Sequence, residues 1–168
     1  MDSIYVAQCD VGRGVFAGKD FAAWEEILRF SGPSISFADT LAKGEDAANP
    51  LQVGDDEYLD IGAPGVLVNH SCAPNAGIIE DRVLVALRPI ARGEEIRYDY
   101  STTMWEDCWT MDCLCGSARC RGVVRDFPTL PAEIQAEYLR LGVVQGYIVR
   151  RLQAAAPTSG ASRAQGWS

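Results

Sequence analysis

Asn69-His70-Ser71-Cys72-Ala73-Pro74-Asn75 and, further along, Gly93-Glu94-Glu95-Ile96-Arg97-Tyr98-Asp99-Tyr100 are the stretches on which the reading of the fold turns. Val66-Leu67-Val68 runs into the first as an apolar strand, which would deliver Asn69 and His70 at a buried strand end. Ala73-Pro74-Asn75 then turns the chain. Residues 95–100 read as a second strand, with Ile96, Tyr98 and Tyr100 on one face and Arg97 and Asp99 on the other. His70 is the only histidine, so no catalytic pair can draw on a second one. Alone it reads as a structural residue whose ring nitrogens must find partners if buried. On their own, Tyr98 and Tyr100 are ordinary strand aromatics.

Upstream, Ile4-Tyr5-Val6-Ala7 reads as a strand, and Gly12-Arg13-Gly14-Val15-Phe16-Ala17 as a glycine-flanked turn leading into another. Gly12-Arg13-Gly14 is no dinucleotide fingerprint, because the third glycine and the following helix are missing. Residues 21–30 fit either a helix, through Phe21, Trp24 and Leu28, or a strand closing at Ser31-Gly32-Pro33. Residues 38–57 are polar and read as a loop with at most one helical turn, and Tyr58-Leu59-Asp60-Ile61 as a short strand. Ile78-Ile79 and Val83-Leu84-Val85-Ala86-Leu87 predict a hairpin about Glu80-Asp81-Arg82. Pro131 opens a helix with a stripe of Ile134, Tyr138 and Leu141; Gly142 breaks it, and Val144, Tyr147, Ile148 and Arg151 continue a second. Residues 154–168 are rich in Ala, Ser, Gly and Pro and read as a disordered tail.

The cysteines add chemistry. Cys113-Leu114-Cys115-Gly116-Ser117-Ala118-Arg119-Cys120 is a C-x-C-x4-C loop whose thiolates can converge on one tetrahedral zinc. Cys72, Cys108 and His70 are all open as the fourth ligand, and Cys9 lies apart. Met1-Asp2-Ser3 lacks the start of a secretory signal, so metal is expected before disulfides. The cytosol is the default location, or the nucleus.

With 168 residues the chain supports one domain with a real core. No apolar run is long enough for a membrane span. Asp and Glu outnumber Lys and Arg by 23 to 15, a net charge of −8, which argues against direct binding of nucleic acid and suits a basic partner.

Taken in order, the Gly12–Ala17 turn, Asn69-His70-Ser71-Cys72-x-Pro-Asn75, Gly93-Glu94-Glu95-x-x-Tyr98-Asp99-Tyr100, the cysteine loop and Arg121-Gly122 resemble the SET-domain family of protein lysine methyltransferases, with its post-SET zinc loop. The resemblance implies a mainly β fold with a few short helices, β-clip-like with knot-like C-terminal threading, plus C-terminal helices. It divides the chain into a SET domain at 1–107, a post-SET zinc loop at 108–127, helices at 128–153 and the tail at 154–168. It implies methyl transfer from S-adenosylmethionine to a lysine of a basic protein or peptide, of which a histone tail is the familiar case, and a nuclear site of action in that case. Tyr100 takes the place of the catalytic tyrosine, and Tyr98 the position that tunes how many methyl groups fit. Gly12, Arg13, Gly14, Asn69, His70 and Tyr100 fall at the cofactor positions, and Phe127 stands for an aromatic over the adenine. Cys72 joins Cys113, Cys115 and Cys120 at a structural zinc, which leaves Cys108 spare. The chain departs from many members at Val66-Leu67-Val68, where Arg-Phe precedes Asn-His, and at Phe30, where a tyrosine hydroxyl often lines the lysine channel. The alternative reading is a SET-like peptide-binding module with a structural zinc and little activity.

Overall fold

The computed structural model describes residues 2–156. Their strands form small sheets of two or three members, as the sequence leads one to expect of a mainly β chain with a few short helices. β1 (Ile4–Cys9) and β2 (Gly12–Ala17) make an antiparallel hairpin running from Ile4 opposite Ala17 to Cys9 opposite Gly12. Gly12 turns the hairpin at a φ of 112°, open only to glycine.

The ambiguous 21–30 segment resolves as β3 (Glu26–Arg29), which pairs with β9 (Val83–Ala86). Trp24, at a φ of 67°, interrupts any helix there. β8 (Ala76–Ile79) and β9 form the expected hairpin, closed by Glu80 and Asp81 in left-handed backbone. The sheet order is β3-β9-β8.

Residues 38–57 are not a loop. After β4 (Ser34–Ile35), α1 (Phe37–Ala42) starts at a capping box, in which Asp39 N donates to Ser36 Oγ and Ser36 N to Asp39 Oδ2. β5 (Leu51–Gly54) is buried throughout and pairs with β6 (Glu57–Leu59), itself paired with β4. Gln52 makes β5 look polar, yet its amide is consumed internally, donating to Gly54 O and accepting from Trp105 N. The expected strand at Val66-Leu67-Val68 is instead a 3-10 turn over Gly65–Leu67, initiated by Pro64.

The pairing that positions the site is short. β7 (Asn69–His70) lies parallel to β10 (Arg97–Tyr98), with Asn69 opposite Arg97 and His70 opposite Tyr98. The strand expected over 95–100 is confined to these residues, because a 3-10 turn begins at Tyr100 with Asp99 as its cap. Tyr98 and Tyr100 nevertheless stay on one side, their ring centroids 4.9 Å apart.

β11 (Met111–Asp112) and β12 (Val123–Val124) close the cysteine loop as an antiparallel pair. α2 (Ala132–Leu141) starts after Pro131 and ends at Gly142; α3 (Gly146–Ala155) follows. The helical end therefore runs past residue 153 to Ala155, and residues 157–168 of the expected tail lie outside the described residues.

The main core joins Val15, Ile27, Leu59, Leu84, Ile96 and Tyr98. A second cluster, Phe127, Ile134, Tyr138, Tyr147 and Ile148 among them, seats α2 and α3. Full burial of each large apolar side chain contributes roughly 1.5–3 kcal/mol, so these few anchors suffice to hold two short helices. Tyr147 directs its hydroxyl to Thr103 O at 2.9 Å, just beyond Tyr100. No helix among the described residues is long and apolar enough to cross a membrane.

Candidate active site and metal centre

The β7–β10 pairing brings Asn69 and His70 against Tyr98 and Tyr100. His70 is buried, and its Nδ1 accepts from Tyr100 N at 3.2 Å. The ring proton is thereby assigned to Nε2, which lies 3.3 Å from Cys72 Sγ. Burial pushes the His70 pKa down to about 4, against the pull of Asp99 and with the help of Arg121 and Arg97. The ring is neutral at physiological pH, so the 3.6 Å approach of Asp99 Oδ1 to Nδ1 is a contact and not an ion pair. His70 thus ties Tyr100 to a cysteine, and its ring is fully engaged within the protein.

Tyr100 Oη donates to Val68 O at 2.9 Å. Burial pushes its pKa up, so it stays a neutral phenol. With its proton held by Val68, the oxygen keeps its lone pairs for an incoming donor. Tyr98 is buried, and Phe30 packs edge-on against it, centroids 6.2 Å apart. Tyr98 and Tyr100 both border a cavity of about 510 Å³, walled further by Phe37, Tyr58 and Trp109.

Gly12, Arg13, Gly14, Asn69 and His70 lie outside that cavity. Asn69 Nδ2 donates to Arg13 O at 3.0 Å and to Glu95 Oε1 at 2.9 Å, fastening the start of β2 beside β7. A Cβ on Gly14 would collide with the Glu95 carboxylate and come within 3.0 Å of Asn69 Nδ2, so this approach requires glycine. Tyr100 belongs to both surfaces: its backbone meets the His70 ring, and its own ring faces the cavity. Phe127 belongs to neither. It is fully buried among the residues that seat α2 and α3, with no face left for a ligand, and its N–H is spent on Met104 O. Where the sequence reading set Phe127 over an adenine, the structure has it packed against the apolar C-terminal helices.

The Sγ atoms of Cys72, Cys113, Cys115 and Cys120 all lie within 4.8 Å of one another, with Cys72 and Cys113 at 3.6 Å. Thiolates about 2.3 Å from a tetrahedral zinc stand about 3.8 Å apart, so the four fit one such ion. Burial pushes the Cys72 and Cys113 thiols up when they are free, a penalty that a coordinating dication reverses. Of the candidates for a fourth ligand, His70 stops at Cys72 and Cys108 stands apart, exposed.

The residue that sequence reasoning missed is Asp99. Its side chain is wholly buried, and Arg121 grips it with two bonds, Nη1 to Oδ2 at 2.7 Å and Nη2 to Oδ1 at 2.8 Å. Tyr138 of α2 donates to Oδ2 at 2.9 Å and Ser101 N to Oδ1 at 3.1 Å. Arg121 follows the last cysteine of the loop, and its own N donates to Cys72 Sγ at 3.4 Å. One signal was available: an acid between two tyrosines and an arginine adjoining a metal loop are each hard to bury alone. Replacing Arg121 by Met strands the Asp99 charge and is expected to cost about 3–5 kcal/mol in denaturant unfolding. A loss below about 1 kcal/mol, the scale of an exposed pair, would show that Asp99 does not depend on Arg121.

The sequence is similar to those of known proteins. A family model described as "SET domain" matches residues 12–101. Histone-lysine N-methyltransferase 2D of Homo sapiens is 28% identical over 71% of the chain, and Histone-lysine N-methyltransferase 2B of Homo sapiens 32% identical over 66%. A protein of Emericella nidulans named Histone-lysine N-methyltransferase, H3 lysine-4 specific, is 32% identical over 65%. The chain spans only 2%, 5% and 10% of those three proteins, respectively. The matched segment holds the hairpin glycines, the Asn69–Cys72 motif and both tyrosines in one folded unit, and the chain belongs to the SET-domain family.

Proposed function

We propose that this chain transfers a methyl group from S-adenosylmethionine to the side-chain amine of a lysine in a basic protein, with a histone tail as substrate and the nucleus as the place of action. The observation that carries this is Tyr100, shared between the Asn69 surface and a cavity lined by aromatics. The relatives' names supply the histone; the acidic balance of the chain, −8, suits a Lys- and Arg-rich tail.

S-adenosylmethionine supplies, when bound, an electrophilic methyl group on a sulfonium. The backbone of Gly12, Arg13 and Gly14, with Asn69 and the Tyr100 side chain, would hold it. The fit rests on acceptors: Arg13 O and the Glu95 carboxylate already face Asn69 Nδ2, and such a surface accepts the ammonium end of an amino acid. The aromatic cavity strips water from an incoming lysine, whose ordinary pKa of about 10.4 must fall before it attacks. Tyr100 Oη, its proton committed to Val68 O, can accept from the amine and aim the nitrogen lone pair. The gain is one of position; burial keeps the Tyr100 proton on, so this hydroxyl is no general base. The four thiols would hold a structural zinc that fixes the loop carrying Arg121, without taking part in the reaction.

Tyr100→Phe is expected to lower transfer of labelled methyl to histones by about a hundredfold or more, the scale of one positioned hydrogen bond in a transition state, at unchanged thermal stability. Tyr98→Phe enlarges the space beside the amine and is expected to shift products toward trimethyl-lysine, read by mass spectrometry. Wild-type protein that binds the cofactor but labels no histone or other basic protein would favour the binding-module reading. Elemental analysis is expected to find one zinc per chain, lost in Cys72→Ser together with a large drop in melting temperature. Full stability without metal would exclude a structural role for it.

A further inference from the structure

Among the described residues, the wall of the cavity bordered by Tyr98 and Tyr100 carries one carboxylate, Glu106, and no Lys or Arg. Its carboxylate accepts from Tyr58 Oη at 2.7 Å, and the Cys108 thiol sits beside it. Both neighbours are neutral donors. Glu106 forms no ion pair among the described residues. The carboxylate is half-buried, and its two protein donors leave it without a counter-charge. Its place is nonetheless fixed. Glu106 N donates to Asp126 Oδ2 at 3.1 Å and Asp107 N to the same oxygen, so buried Asp126 anchors the backbone on which Glu106 sits. Beside it, the Tyr58 ring lies tilted against Phe37, centroids 6.0 Å apart. A pre-placed carboxylate among aromatic faces matches a cationic side chain, which gains both an ion pair and cation–π contact.

We propose that Glu106 is the substrate-recognition carboxylate of this cavity and binds an ammonium or guanidinium side chain of the peptide that is methylated. This rests on reading the cavity as the path of the target lysine. The cation is either that lysine on its way in or a basic neighbour of it. Tyr58 orients the carboxylate, and its placement owes nothing to Tyr100, so recognition and transfer are separable.

The test uses the full zinc-loaded chain with S-adenosylhomocysteine and two capped synthetic peptides. One has a single lysine among alanines and glycines; the other adds an arginine on each side. Binding is measured by calorimetry, and turnover with S-adenosylmethionine in parallel. Glu106→Gln keeps an acceptor for Tyr58 and is the variant of choice; unchanged melting temperature confirms its fold. It is expected to weaken binding and raise KM by about tenfold, the scale of one charge-assisted hydrogen bond, with kcat within about twofold. Loss with the single-lysine peptide identifies the target lysine as the cation; loss only with the arginine peptide identifies its neighbour. Equal binding of both peptides by wild type and Glu106→Gln overturns the proposal, as does a fall in kcat at unchanged affinity, or a wild type that binds neither peptide. A wild type that binds in a Glu106-dependent way without turnover upholds the recognition role and removes the transfer reading instead.

Discussion

Around the Asp99 carboxylate, donors converge from parts of the chain far apart in sequence: Arg121 beyond the cysteine loop, Tyr138 on α2, and Ser101 in the turn that begins at Tyr100. A buried ion pair contributes little net stability, because desolvation offsets attraction, but loss of one partner is severe. Its effect is therefore to make one arrangement compulsory. Asp99 is flanked by Tyr98 and Tyr100, so fixing its side chain fixes the backbone that presents both rings. Arg121 N also reaches Cys72 Sγ, and Cys72 in turn lies beside His70 Nε2, whose other nitrogen accepts from Tyr100 N. The thiol cluster, α2 and the two tyrosines thus share one polar framework.

The framework also sets the electrical character of the site. His70 is held neutral by burial, and Tyr100 keeps its proton for the same reason. Neither of these two side chains changes its charge near neutral pH. This suits a reaction whose charged participants arrive from outside, a sulfonium on one side and an amine that must shed its proton on the other. The carboxylate in the cavity wall, Glu106, proposed above to recognise a cation, stands apart from the Tyr100 hydroxyl.

Much of this was legible in the sequence. Asn69–Asn75, Tyr98-Asp99-Tyr100 and the C-x-C-x4-C loop were readable because each compresses its chemistry into adjacent residues. The β8–β9 hairpin and the two C-terminal helices follow from apolar period and punctuation. Less visible was anything set by distant partners. The parallel pairing of β7 with β10 involves too few residues to show a pattern. Gln52 disguised β5 as loop because its amide partner, Trp105 N, lies far along the chain. The capping box at Ser36 and Asp39 was local and readable but was outweighed by the polar run that follows it. An aromatic after a cysteine loop fits a ligand and a helix core equally well in sequence, and the packing of Phe127 with α2 and α3 depends on residues further along the chain.

The central claim is that two separate surfaces meet at Tyr100. A crystal structure with S-adenosylhomocysteine and a lysine peptide tests it most directly. The account predicts the cofactor product against Gly12–Gly14 and Asn69, the lysine threaded between the aromatics of the cavity, and its nitrogen beside Tyr100 Oη. Both ligands within the one cavity, or a lysine nitrogen remote from Tyr100, would contradict it.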